Sequence, residues 1–128
     1  MTYLDTHVVA ALDRKQTDVF SRRAQAAIEQ EDDLRISPLV LLELEFLHEI
    51  KRIKVPTVPA VRIVNDLQAE IGLRVCDTPF PLVVHKALAE RWTRDPFDRM
   101  IVAHARLHNA PLITLDRHIL SHYPHAIG

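Results

Sequence analysis

Residues 95–116 read DPFDRMIVAHARLHNAPLITLD, and this stretch decides the fold. Asp95-Pro96 opens a helix in the expected way, with a capping acid followed by proline at the first helical position. The helix runs to Asn109. Pro111–Leu115 then follows as a short apolar strand and ends abruptly on Asp116. A helix leading straight into a strand implies a crossover connection, and the rest of the chain repeats the theme. Thr2–Leu4 is a first strand, ending on Asp5, after which Thr6 is placed to cap a short helix through Leu12. Thr17–Gln30 carries Val19, Phe20, Ala24, Ala27 and Ile28 on a helical period, predicting a second helix. Leu34–Ile36 is a second strand, and Ser37-Pro38 opens a helix that continues to about Lys51. Pro56 and Pro59 mark a loop, and Val61–Ile71 forms a helix stopped by Gly72. Leu73–Cys76 is a third strand, and Pro81–Trp92 is read as helical. Alternating strands and helices argue for a parallel sheet covered on both faces, an α/β/α architecture of four to five short strands in one domain, residues 1–128.

Composition agrees with that reading. The chain has 128 residues, 48% hydrophobic and 26% charged, which fits one soluble globular domain. Sixteen Lys and Arg against seventeen Asp and Glu give a net charge of −1, which excludes a protein that grips nucleic acid by bulk charge. Cys76 is the one cysteine, so no internal disulfide can form, and its apolar setting predicts a buried thiol. No apolar run approaches the ~20 residues needed to cross a bilayer, and no signal peptide is legible, so the expected address is cytoplasmic, away from membranes.

The acids carry the functional signal. In a parallel α/β sheet, ligands collect at the carboxyl edge of the strands. Asp5 and Asp116 directly follow strands, and Asp98 lies in the first turn of a helix that starts at the same edge. Glu43 lies in the second turn of the helix after strand two, about 8 Å down its axis. Its helical neighbours Leu39, Phe46 and Leu47 make it the acid on the core-facing stripe, whereas Glu45, beside His48 and Glu49, reads as solvent-facing. Each acid alone has an ordinary explanation: Asp5 and Asp116 as cap or turn residues, Asp95 and Asp98 as a capping box. Four carboxylates at one edge do not. A pair about 5 Å apart repels by roughly 3 kcal/mol at an effective dielectric of 20, and six such pairs rival the stability of a small domain. Such a cluster must take up protons or a cation. All-oxygen donors favour Mg²⁺ or Mn²⁺, which suits phosphoryl chemistry. His104 and His108, one turn apart, form a metal-like pair, but a zinc site is not expected from them.

In order and spacing, YLDTHVVAAL, SPLVLLELEFL, RDPFDRMIVAHA and LITLD resemble the PIN-domain ribonucleases, and RDPFDR in particular resembles the VapC-type toxins of bacterial and archaeal toxin–antitoxin pairs. The resemblance spans Tyr3 to about Tyr123. It implies a metal-dependent endoribonuclease leaving a 5′-phosphate, with catalytic acids Asp5, Glu43, Asp98 and Asp116. It further implies Asp5 and Asp98 as metal ligands, and Glu43 and Asp116 as residues that orient water or a second ion. Thr6 and Thr114 match supporting hydroxyl positions, and Asp95 joins capping to support of the site. An RNA substrate, an antitoxin that inserts near the pocket and a homodimer are the implied partners. Lys86, Arg94, Arg99 and Arg117 are candidates for phosphate contact. Two departures stand out: Thr93 replaces a histidine common before RDP, and Ile127-Gly128 stands where many relatives end a last strand in tryptophan. A receiver domain and a haloacid-dehalogenase-like phosphatase are excluded, because Asp5-Thr6-His7 lacks the second acid that each needs. A nuclease acting on DNA and a non-catalytic PIN-like binding module remain the alternatives. With the four carboxylates set aside, the −1 becomes +3, so near-neutrality is compatible with a nucleic-acid substrate.

Overall fold

Thr2–Leu4 (β1) is apolar, fully buried and central: it is the middle strand of a five-stranded, all-parallel sheet. The computed structural model describes residues 1–50 and 56–128. Their elements follow as α1 (Thr6–Asp13), a 3₁₀ turn (Thr17–Val19), α2 (Arg22–Gln30), β2 (Leu34–Ile36), α3 (Pro38–Ile50), α4 (Ala60–Ile71), β3 (Arg74–Val75), α5 (Phe80–Ala87), α6 (Pro96–Leu107), β4 (Leu112–Ile113), α7 (Arg117–His122) and β5 (Ala126–Ile127). The sheet order is β3-β2-β1-β4-β5, flanked by helices, as the alternation predicted. Strands of two or three residues suffice because both faces are covered: Tyr3, Leu4, Leu34, Ile36, Leu112 and Ile113 are all 1% exposed or less.

Register sets the site. Leu4 pairs with Ile113, so Asp5 and Thr114 leave adjacent strands side by side. Tyr3 pairs with Arg35, which brings buried Ser37 to the same edge, where its hydroxyl accepts from Leu39 N–H at 3.1 Å and starts α3.

Several boundaries differ from expectation. Asp5, not Thr6, caps α1; Thr6 is the first helical residue. The expected helix 17–30 breaks in two, because Phe20 turns extended (φ −90°, ψ 145°) to bury its ring and Ser21 restarts the helix by accepting from Ala24 N–H. The expected end of α3 at Lys51 lies outside the described residues. The helix predicted to reach Trp92 stops at Ala87, because Glu90 turns inward to ion-pair with Arg106; Leu88 N–H still reaches Val84 O, while Ala89 and Glu90 N–H reach only the i−3 carbonyls. Gly72 ends α4 in the left-handed region (φ 72°), as the sequence predicted, its N–H donating to Gln68 O. Glu45, expected in solvent, accepts from Ala60 N–H at 3.1 Å and so caps α4, whose own Pro59 offers no side-chain cap. β5 pairs with β4, so Ile127 does close a final strand without a tryptophan.

Candidate active site at the carboxyl edge of the sheet

Asp5 is the centre of the site and is only 4% exposed. Its Oδ1 accepts from Thr6 N–H at 2.8 Å, and its Oδ2 accepts from the Thr114 hydroxyl at 2.6 Å. The Thr114 hydroxyl in turn accepts from Asp116 N–H at 3.0 Å. One fully buried threonine thus locks two of the acids in register across the β1–β4 pair. Thr6, also fully buried, donates its hydroxyl to Glu43 Oε1, tying α1 to α3. Glu43 is half-buried. Its neighbour Phe46 is 45% exposed, but the Thr6 bond turns Glu43 toward α1 and the body of the protein, the side the stripe argument gave it.

Asp116 caps α7 through Oδ1, accepting from His118 N–H and Ile119 N–H. Asp95 does the same for α6, accepting from Phe97 N–H at 2.8 Å and Asp98 N–H at 3.4 Å. Both cap through Oδ1, and a carboxylate has a second oxygen to offer elsewhere. Capping and a role in the site are therefore compatible. Thr93 has its own task. Its hydroxyl accepts from Asp95 N–H and its carbonyl accepts from Arg99 Nε at 2.8 Å, which fixes the approach to α6.

The electrostatics identify what the acids have in common. Burial raises Asp98, and repulsion from Asp95, Asp5, Asp116 and Glu43 adds to it, reaching about 7. Burial also raises Asp5, opposed by its hydrogen bonds from Thr114 and Thr6, and raises Glu43, opposed by the Thr6 hydroxyl. One carboxyl that senses four others across some ninety residues of sequence lies in a single acidic neighbourhood. Exposed His7 is the nearby counter-charge to Asp5 and Glu43, a residue the sequence reading passed over although it stands two places after Asp5. Among the described residues, no three His, Cys, Asp or Glu side chains sit close enough together to enclose an ion unaided. The donor chemistry still fits a hard divalent cation, since Mg²⁺ is commonly held by one or two carboxylates with water completing its shell.

Other residues singled out from sequence fall in varied places. Arg94 and Arg117 are exposed, on the segment before α6 and at the start of α7; Arg99 is half-buried against Thr93. Lys86 is half-buried in the last turn of α5. His104 is buried with Nδ1 against Met100 O, while His108 Nε2 meets Thr78, so the two are engaged separately. Cys76 is buried, but it is not surrounded by carbon alone, because Tyr3 and Thr78 hydroxyls lie 3.0 Å from its sulfur.

A family profile for the PIN domain matches residues 2–125. The chain belongs to the PIN-domain family. This PIN domain is 34% identical over 119 residues to Ribonuclease VapC22 of Mycobacterium tuberculosis, covering 93% of this chain and 89% of that protein. Among solved structures it is similar in fold to a toxin–antitoxin complex from Klebsiella pneumoniae (TM-score 0.64, 16% identity, 100% and 97% of the two chains). It is similar too to VapBC2 from Rickettsia felis bound to a promoter DNA fragment (TM-score 0.63, 19% identity, 99% and 96% covered). The PIN-domain likeness therefore spans the same strands and helix starts that carry Asp5, Glu43, Asp98 and Asp116.

Proposed function

We propose that this PIN domain is a divalent-metal-dependent endoribonuclease, working with Mg²⁺ or Mn²⁺, and that it is the toxin of a toxin–antitoxin pair. The observation that carries this reading is the crowding of Asp98 by Asp95, Asp5, Asp116 and Glu43, a charge arrangement that a cation relieves. The likeness to Ribonuclease VapC22 supports RNA as the substrate. Asp5 and Asp98 hold the ion, and Glu43 and Asp116 orient water or a second ion. The chemistry such a cation supplies is Lewis acidity toward a phosphodiester and its attacking water. The chain's own part is to hold these carboxylates still. Thr6 and Thr114 fix Glu43, Asp5 and Asp116, and Asp95 fixes the first turn that presents Asp98. Arg94, Arg99, Arg117 and Lys86 supply positive charge for the RNA phosphates, and the product carries a 5′-phosphate.

The partners follow from similar structures and from surface chemistry. One of the similar structures is a toxin–antitoxin complex and the other is VapBC2 bound to promoter DNA. This chain also exposes two apolar stripes at i, i+4, i+8 spacing, Leu42–Phe46–Ile50 on α3 and Phe80–Val84–Leu88 running off α5, each residue 36–62% exposed. Stripes of this kind mark protein-binding faces, and an antitoxin and a second copy of the chain are the proposed occupants. No helix among the described residues is long and apolar enough to cross a membrane, and the proposed site of action is the cytosol. The deciding experiment is cleavage of labelled RNA, with DNA as control, by wild type and Asp98→Asn. Wild-type activity that requires Mg²⁺ or Mn²⁺ and disappears in the variant is the expected result. Activity that persists in EDTA, or in Asp98→Asn, would overturn the proposal.

A further inference from the structure

Each helix that starts at the acid pocket with a capping carboxylate carries an exposed basic residue beside that cap. Arg94 directly precedes Asp95 of α6, Arg117 directly follows Asp116 of α7, and His7 stands two residues after Asp5 in the first turn of α1. The charge of His7 reaches the centre of the site, where it favours the ionised form of both Asp5 and Glu43. The proposed chemistry has so far given His7 no task.

Local geometry fixes its backbone and leaves its ring free. Thr6, the residue before it, donates its N–H to Asp5 Oδ1 at 2.8 Å and its hydroxyl to Glu43, so the first turn of α1 is tied both to its cap and to α3. Thr6 is fully buried, whereas His7, about 100° further round the helix, is exposed. Among the described residues the His7 imidazole has no hydrogen bond and no ring contact. His48, His104, His108 and His122, by contrast, each have a polar neighbour within 3.1 Å of a ring nitrogen. A donor on a fixed turn, beside two of the acids and without a partner in the chain, is available to whatever enters the pocket. A phosphodiester that enters brings negative charge to a ring of carboxylates. A bound cation answers part of that charge, and an imidazole N–H held in place at the rim answers more.

We infer that His7 is a substrate-contacting residue, its imidazole N–H donating to a non-bridging oxygen of the RNA phosphate that lies beside Asp5 and Glu43. The inference rests on the ribonuclease reading of the pocket. The contact is to the sugar–phosphate backbone, so it adds affinity without choosing among bases. It is also separate from the hold on the ion: the carboxylates keep the cation, while His7 grips the phosphate, and loss of His7 leaves the carboxylates in place.

Initial rates of the full-length protein on labelled single-stranded RNA, at saturating Mn²⁺, test this. His7→Ala should raise KM about tenfold or more, the loss expected for one hydrogen bond to a charged group, and change kcat by less. His7→Gln keeps an N–H donor and should recover most of the affinity. Calorimetric titration with Mn²⁺ should give His7→Ala an affinity equal to wild type or tighter, because a positive charge beside the acids is gone. Weakened Mn²⁺ binding in His7→Ala would make His7 a support of the ion and overturn the inference. His7→Gln no better than His7→Ala would overturn it as well. A wild-type protein that cuts no RNA removes the ribonuclease reading and this inference with it, whereas RNA cleavage with an unchanged KM in His7→Ala removes the inference alone.

Discussion

Asp5 and Glu90 are both almost fully buried carboxylates, at 4% and 3% exposure, and the fold treats them in opposite ways. Around Glu90 it places a guanidinium and an indole N–H, so the charge is answered within the chain. Around Asp5 it places a hydroxyl and an amide, then brings Asp98, Asp116 and Glu43 into the same neighbourhood. A buried acid given its own counter-charge is a structural fastener. Asp5, given more acids, has only exposed His7 among the described residues as a nearby counter-charge, and on the proposed reading a cation completes the answer.

The contrast can be tested by neutralising one member of each group. Asp98→Asn should lower metal-dependent RNA cleavage by about a hundredfold or more, read from initial rates at saturating metal. Metal-free, the same variant should unfold at equal or higher urea concentration than wild type, because a repelling charge is gone. Glu90→Ala should show the reverse pattern in stability. It strands Arg106 and the Trp92 N–H, and should cost about 2–3 kcal/mol in urea unfolding, the low end for a broken buried pair because Arg106 is 32% exposed. If both variants were destabilised alike, the contrast would collapse.

Thr114→Val comes next in size. It removes the hydroxyl shared by Asp5 and Asp116 N–H, and should cost about 1–2 kcal/mol and weaken Mn²⁺ binding several-fold by calorimetry. The smallest expected effect is on pH dependence. Asp98 in the fold binds its proton up to about 7, while in the unfolded chain it releases it near its ordinary value, so the folded state holds more protons in between. Stability of the metal-free protein should therefore fall as pH rises from about 4 to about 7, then level off. Melting curves across that window should shift down by a few degrees, and Asp98→Asn should flatten the slope. A melting temperature that climbs through the window would contradict the crowded-acid picture.

The site was partly legible before any coordinates. Strands of two or three residues leave little doubt about which residue comes next, so Asp5 and Asp116 could be placed at the carboxyl edge from the apolar runs before them. Asp95-Pro96 marked its own helix start. Glu43 could be preferred to Glu45 because one stripe of α3 is apolar. The same argument misjudged Glu45, whose partner, Ala60 N–H, lies on another helix. It also extended α5 to Trp92, since nothing local shows that Glu90 will turn inward to Arg106, sixteen residues on. Local patterns record the preferences of a segment, and a segment cannot anticipate the partner that overrides them.

The sequence by itself determined the alternation of strands and helices, the edge at which four acids emerge and the family to which the motifs point. It could do so because periodicity, caps and strand ends are set by neighbouring residues. Only the tertiary structure decided that the Thr114 hydroxyl, 109 residues from Asp5, would hold its carboxylate, and that Trp92 would lie flat on His122. Those contacts depend on register between strands and on the packing of α6 against its neighbours, which are properties of the closed fold and of no single stretch of chain.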